Sequence, residues 1–102
     1  MKFEDERMLK LDEGQTALIN AVGNASRLKI LLTLWKTEEE LTVYKISQRT
    51  LLKRERVAYH LRKLLESKLV LRKVYGAIPL YTINRGSPEA NALIDFFTKT
   101  KL

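Results

Sequence analysis

Five residues in the middle of the chain carry the most chemically suggestive pattern. Arg54, Glu55, Ala58, Tyr59 and Arg62 fall along one row of a helical repeat, opposite the apolar set Val57, Leu61, Leu64 and Leu65 at i, i+4, i+7 and i+8. Arginine forks match the acceptor pair on a guanine edge, and Ala58 leaves room for a thymine methyl. Two readings of Glu55 stand: a carboxylate accepting from cytosine, or a first-turn acid favoured by the helix dipole. A helix carrying such a row fits the major groove of duplex DNA. The competing reading of Arg54, Tyr59 and Arg62 is a merely solvated face.

Other chemistries have little to work with. Cysteine is absent and His60 is the single histidine, so no disulfide, thiolate metal site or cysteine nucleophile is available. His60 stands in the densest basic run without a neighbouring acid to orient it as a general base, and reads as packing at a helix margin or bonding a phosphate. The acids cluster instead at Glu4 to Glu6 and Glu38 to Glu40, as solvated charge would. The expectation is a protein that is not an enzyme and uses no metal or cofactor.

The net charge of +7 is unevenly placed. Residues 14 to 41 carry three basic and three acidic groups, whereas residues 42 to 75 carry ten basic and two acidic ones. One third of the chain therefore holds the whole excess, interleaved with Tyr44, Tyr59 and Tyr75, which is the footprint of a polyphosphate partner. Tyr44, Lys45, Gln48 and Arg49 would lie over the phosphate backbone, together with Lys53. Arg72, Lys73 and Tyr75 would reach flanking phosphates or the minor groove. A face that simply meets water is the alternative for both groups.

With 102 residues the chain is expected to be one domain, residues 1–102. No apolar run approaches the length of a membrane span, and residues 1–13 lack the basic start and apolar run of a signal peptide, so a cytoplasmic protein is expected. The elements that must hold the basic row follow from spacing and caps. Asp12 opens a helix to residue 22, Asn24 caps one over 25–36, and Thr42 caps a short one over 43–50. The basic helix spans Lys53 to Lys68. Leu69 to Tyr75 and Leu80 to Asn84 read as strands joined by a loop over Gly76 to Pro79, and Ser87-Pro88 starts a last helix over 88–100. The fold class is mainly α with a small β-hairpin. The terminal helices carry more apolar residues (Leu18, Val22, Leu93, Ile94, Phe96 and Phe97) than so small a core needs, and a homodimer is expected through them.

That order is the winged helix-turn-helix arrangement, and two blocks strengthen the likeness. Residues 22–31, VGNASRLKIL, resemble the opening signature of ArsR-type transcriptional repressors, and residues 57–64, VAYHLRKL, ending in Leu69-Val70, are similar to that family's recognition helix and its exit into the wing. Together they span about residues 12 to 85. The resemblance implies a double-stranded-DNA-binding repressor, dimeric through its terminal helices, reading with helix 54–62 and holding with the wing. It names no small-molecule effector. Two departures stand out. Thr42, Tyr44 and Lys45 occupy the places where metal-sensing members carry two thiolates and a carboxylate, and cannot replace them. Leu51 occupies a turn position usually given to a small residue or glycine, where leucine is expected to fit with φ kept negative. A different class of function fits the same basic face: an architectural or interaction module that coats DNA without sequence choice or docks an acidic protein.

Overall fold

The computed structural model describes residues 8–102; the expectations for residues 1–7 lie outside the described residues. Five helices and one hairpin follow in the order α1 (Glu13–Val22), α2 (Ala25–Thr37), α3 (Val43–Thr50), α4 (Arg54–Glu66), β1 (Val70–Tyr75), β2 (Ile78–Ile83) and α5 (Pro88–Thr100). This is the winged helix-turn-helix order expected from the sequence. Among the described residues no helix is long and apolar enough to cross a membrane.

Four of the five helices begin where a side-chain oxygen satisfies a free amide of the first turn. Asp12 Oδ1 accepts from the Gln15 amide at 2.7 Å, and the Gln15 side chain accepts in return from the Asp12 amide at 3.1 Å, a reciprocal capping box. Asn24, Thr42 and Ser87 accept from the amides of Arg27, Lys45 and Ala90, and Pro88 follows Ser87 inside the first turn of α5. Each such cap is worth about 1 kcal/mol. Helix α4 is the exception, since Lys53 offers no capping oxygen.

Helix α2 runs through the middle, packed against α1, α3, α4 and β2. Its deepest residues are Ile30, Leu31 and Leu34, while Leu28, Leu32 and Trp35 pack half-buried against the same core. Val57, Leu61 and Leu64 of α4 are fully buried against it, as their spacing predicts. The Phe97 ring from α5 closes the core, its centroid 5.7 Å from that of Trp35.

The hairpin departs from its expected bounds. Strand β2 starts at Ile78, paired with Tyr75, and only Gly76 and Ala77 lie between the strands. Pro79 is therefore inside the strand, opposite Val74. A two-residue turn makes Tyr75–Ile78 the first hydrogen-bonded pair, so the next pair points its amides away from the ladder and a proline there costs no bond. Gly76, at φ +62°, supplies the left-handed conformation the tight turn requires. Leu41 bonds Tyr81 through both backbone groups, at 2.9 and 2.8 Å, and ties the α2–α3 loop to the hairpin.

Leu51 also differs from expectation. It adopts φ +62°, ψ 21°, the left-handed conformation, with its amide bonded to the Ser47 carbonyl at 2.9 Å and its side chain 90% exposed. The backbone bond and the hydroxyls of Ser47 and Thr50, which bond the Leu52 and Ile46 carbonyls, hold the turn between α3 and α4 in this shape without a glycine.

The terminal helices α1 and α5 pack on one another within the chain. Leu93 and Phe97 face inward, 3% and 0% exposed, and so cannot also present themselves to a partner. Half of the other expected contact residues do face out: Val22 and Phe96 are exposed, while Leu18 and Ile94 are half-buried.

Candidate nucleic-acid interface

Helix α4 turns Arg54, Glu55, Ala58, Tyr59 and Arg62 to solvent, because Val57, Leu61 and Leu64 anchor its opposite face in the core. Helix α3 stands beside its N-terminal end and brings Tyr44 against Arg54: the guanidinium lies 4.7 Å from the ring centroid. Gln48 donates to the Tyr44 hydroxyl at 2.7 Å, so one aromatic side chain orients two polar ones. Farther along α4, the Arg62 guanidinium and the Lys63 ammonium flank the Tyr59 ring at 5.8 and 5.7 Å. Stacking of this kind restricts long cationic side chains to a few rotamers while leaving their donors free.

Other expected residues are held elsewhere. Arg49 reaches back to α2 and donates to the Thr37 hydroxyl at 2.8 Å. On the wing, Lys73 lies 3.8 Å from Glu40 and the Tyr75 hydroxyl donates to the same carboxylate oxygen at 3.3 Å. Lys45, Lys53 and Arg72 are exposed. Helix α4 packs against β1, and Glu40 is the acid that sets the pose of two wing residues. Sequence spacing gave no sign of Glu40, because it approaches the wing from 33 and 35 residues away.

His60 is buried, 4% exposed, and its Nδ1 accepts a hydrogen bond from Arg27 Nε of α2 at 3.1 Å. Of the two expectations for it, packing at the helix margin understates the burial. An imidazole that accepts at Nδ1 carries its proton on Nε2 and is neutral. Burial, and then the charges of Arg27 and Arg56, hold its pKa below the ordinary histidine value. Tyr59 meets its ring edge-on at 5.2 Å. Because the unfolded chain protonates His60 near pH 6.5 and the folded chain only at lower pH, the unfolded state binds more protons between those values. Stability is therefore complete above about pH 6.5 and lost as pH falls through the folded pKa. Thermal melts between about pH 7.5 and 5 should show that decline, and His60→Gln should flatten it; equal slopes for both proteins would exclude His60 as the source.

Depressions mark the surface of the described residues. A shallow cleft of about 460 Å³ lies on the flank of α4 among Lys53, Glu55, Arg56, Tyr59 and His60. A larger groove of about 800 Å³ runs between α1, the end of α4 and the start of α5, away from the exposed row. Its lining mixes Asp12, Glu13 and Glu89 with Arg27 and Lys68, so charge alone selects no ligand for it. Arg56 and Arg27 were absent from the sequence expectations. Arg56 lies off the row defined by 54, 58 and 62, and Arg27 is brought in only by the packing of α2 on α4.

Solved structures share this architecture. HlyU from Vibrio cholerae superimposes with a TM-score of 0.74 at 29% identity, over 91% of this chain and 97% of HlyU. The transcriptional repressor PagR of Bacillus anthracis gives 0.68 at 29% identity, over 83% of this chain and 93% of PagR. Mb0332 from Mycobacterium bovis, a homodimeric winged helix-turn-helix DNA-binding domain described as a possible ArsR-family regulator, gives 0.73 over 87% of this chain and 80% of its own. At 21% identity that last likeness concerns the fold alone. No protein-family model and no curated protein sequence matches the chain.

Proposed function

The chain has the fold of the ArsR-type winged helix-turn-helix regulators, and on that premise we propose that it is a sequence-specific, double-stranded-DNA-binding transcription regulator. It acts as a homodimer and represses by occupying a promoter, with residues 1–102 as one DNA-binding domain. The observation that carries this reading is the row Arg54, Glu55, Ala58, Tyr59 and Arg62, exposed on a helix whose other face is core, with two of its cations stacked on tyrosines. A solvated face needs no such ordering of its arginines. The repressor PagR supports the repressing role by analogy.

Repression here is steric: a dimer seated on two successive major-groove turns, roughly 34–36 Å apart, blocks the promoter beneath it. The operator is accordingly an inverted repeat. Selection of bound sites from a random duplex pool, followed by titration against competitor DNA, tests the proposal. A preference of about 10³ or more for the selected site is expected. A ratio near unity would replace this reading with the architectural one, in which the same face coats DNA without choosing.

A further inference from the structure

The cleft on the flank of α4 combines features that a solvated surface does not require. Its walls carry Lys53 and Arg56, and its floor is His60, a polar side chain withdrawn from solvent to 4% exposure. Arg27 occupies His60 Nδ1, which leaves Nε2, the protonated nitrogen, without a hydrogen-bond partner among the described residues. That nitrogen is not sealed from solvent, so at a cleft lined by two cations it is a free donor open to an acceptor arriving from outside. Glu55 stands on the same cleft and opposes an anion, but Lys53 and Arg56 outweigh it. Helix α4 also begins here without a side-chain cap, so its first-turn amides add to the positive end of the cleft.

We propose that this cleft seats one backbone phosphate of bound DNA, with His60 Nε2–H donating to the phosphate oxygen and Lys53 and Arg56 supplying charge. Arg27 is the positioning residue: by donating to Nδ1 it fixes the tautomer that makes Nε2 a donor. The inference rests on the DNA-binding reading and adds to it a contact outside the row on α4. The seat lies to one side of that row and is indifferent to sequence, so it sets how deep and at what angle the helix enters the groove.

A neutral donor has a signature that separates it from the basic residues beside it. Removing a lysine or arginine that neutralises a phosphate lowers the salt dependence of binding by about one ion, whereas removing a neutral imidazole weakens binding without changing that slope. Asparagine places its oxygen near the position of Nδ1 and lacks a donor at Nε2, while glutamine can extend its amide to the Nε2 position. On mixed-sequence duplex DNA, His60→Asn should bind roughly tenfold or more weakly at an unchanged salt slope. His60→Gln should bind nearly as the wild type does, and Arg56→Gln should lower the slope by about one. Equal losses for His60→Asn and His60→Gln, or wild-type binding by His60→Asn, would overturn the proposal.

A measurement on the unsubstituted protein covers the case in which His60→Asn fails to fold. His60 is the only histidine, so its imidazole nitrogens give unambiguous NMR signals. Adding duplex should shift the Nε2–H resonance and slow its exchange with water. An unmoved resonance in a chain that demonstrably binds the duplex would refute the phosphate seat. Failure of the unsubstituted chain to bind any duplex would instead refute the DNA-binding reading on which it rests.

Discussion

Phe97→Ala is expected to cost the fold about 3–5 kcal/mol, while Phe96→Asp, one residue earlier, is expected to leave a folded chain that no longer dimerises. The two rings are neighbours, 6.1 Å apart, but their surroundings differ completely. Phe97 has no exposed surface and packs on Trp35, so truncation leaves a cavity that the caps and turns around α5 cannot close. Phe96 is 43% exposed on the outer side of the same helix, where an aspartate remains solvated in the monomer and becomes unfavourable only when a second copy covers it. Urea unfolding should therefore separate Phe97→Ala from the wild type far more than Phe96→Asp. Sedimentation at micromolar concentration should show a wild-type dimer and a Phe96→Asp monomer that binds DNA weakly. A wild-type monomer under those conditions would sink the dimer proposal, whatever the fold.

The second large effect concerns how the interface divides reading from holding. Arg54→Ala, Tyr59→Ala and Arg62→Ala should each cost about 1–3 kcal/mol on the selected site, and less on scrambled duplex. Tyr59→Ala removes the ring between Arg62 and Lys63 as well as its own contact, so its effect should be the least additive with Arg62→Ala. Arg72→Ala and Lys73→Ala should weaken both duplexes by similar factors and lower the salt slope by about one. The ion pair between Lys73 and Glu40 does not prevent this. Both side chains are partly exposed, and such pairs contribute about 0–1 kcal/mol, less than a phosphate offers the same ammonium. Binding of all five variants to both duplexes across a salt series decides the matter. Equal losses on both duplexes for all five would mean that α4 does not read sequence.

Much of this architecture is local, and so could be read from residue order. A cap joins a side chain to an amide three residues on, which is why Asp12, Asn24, Thr42 and Ser87 mark the starts of four helices to within a residue. The basic row and the buried face of α4 are two sides of one 3.6-residue period, so exposing one and burying the other requires no knowledge of the partner elements. The charge excess over residues 42–75 is a matter of counting.

Other features depend on contacts between distant parts of the chain. Apolar spacing identifies the faces of α5 but not which one the chain itself will cover, and only the packing of α5 on α1 and Trp35 separates Phe97 from Phe96. The same holds for His60: its tautomer is set by Arg27, 33 residues earlier, and its pKa is lowered first by burial in the folded chain and then by the charges of Arg27 and Arg56. Leu51 and Pro79 are cases in which residue type argued against the observed backbone. Leu51 is held left-handed by its bond to Ser47 and the turn between two anchored helices, and Pro79 enters a strand because the two-residue turn directs its missing amide outward. Residue order thus determined the elements, their order and the charged face, since these rest on interactions within a turn or two of chain. Tertiary structure alone decided which apolar residues became core, which polar ones were positioned and which backbone strain was tolerated, because each is settled by the sum of contacts a folded neighbour makes and not by the residue itself.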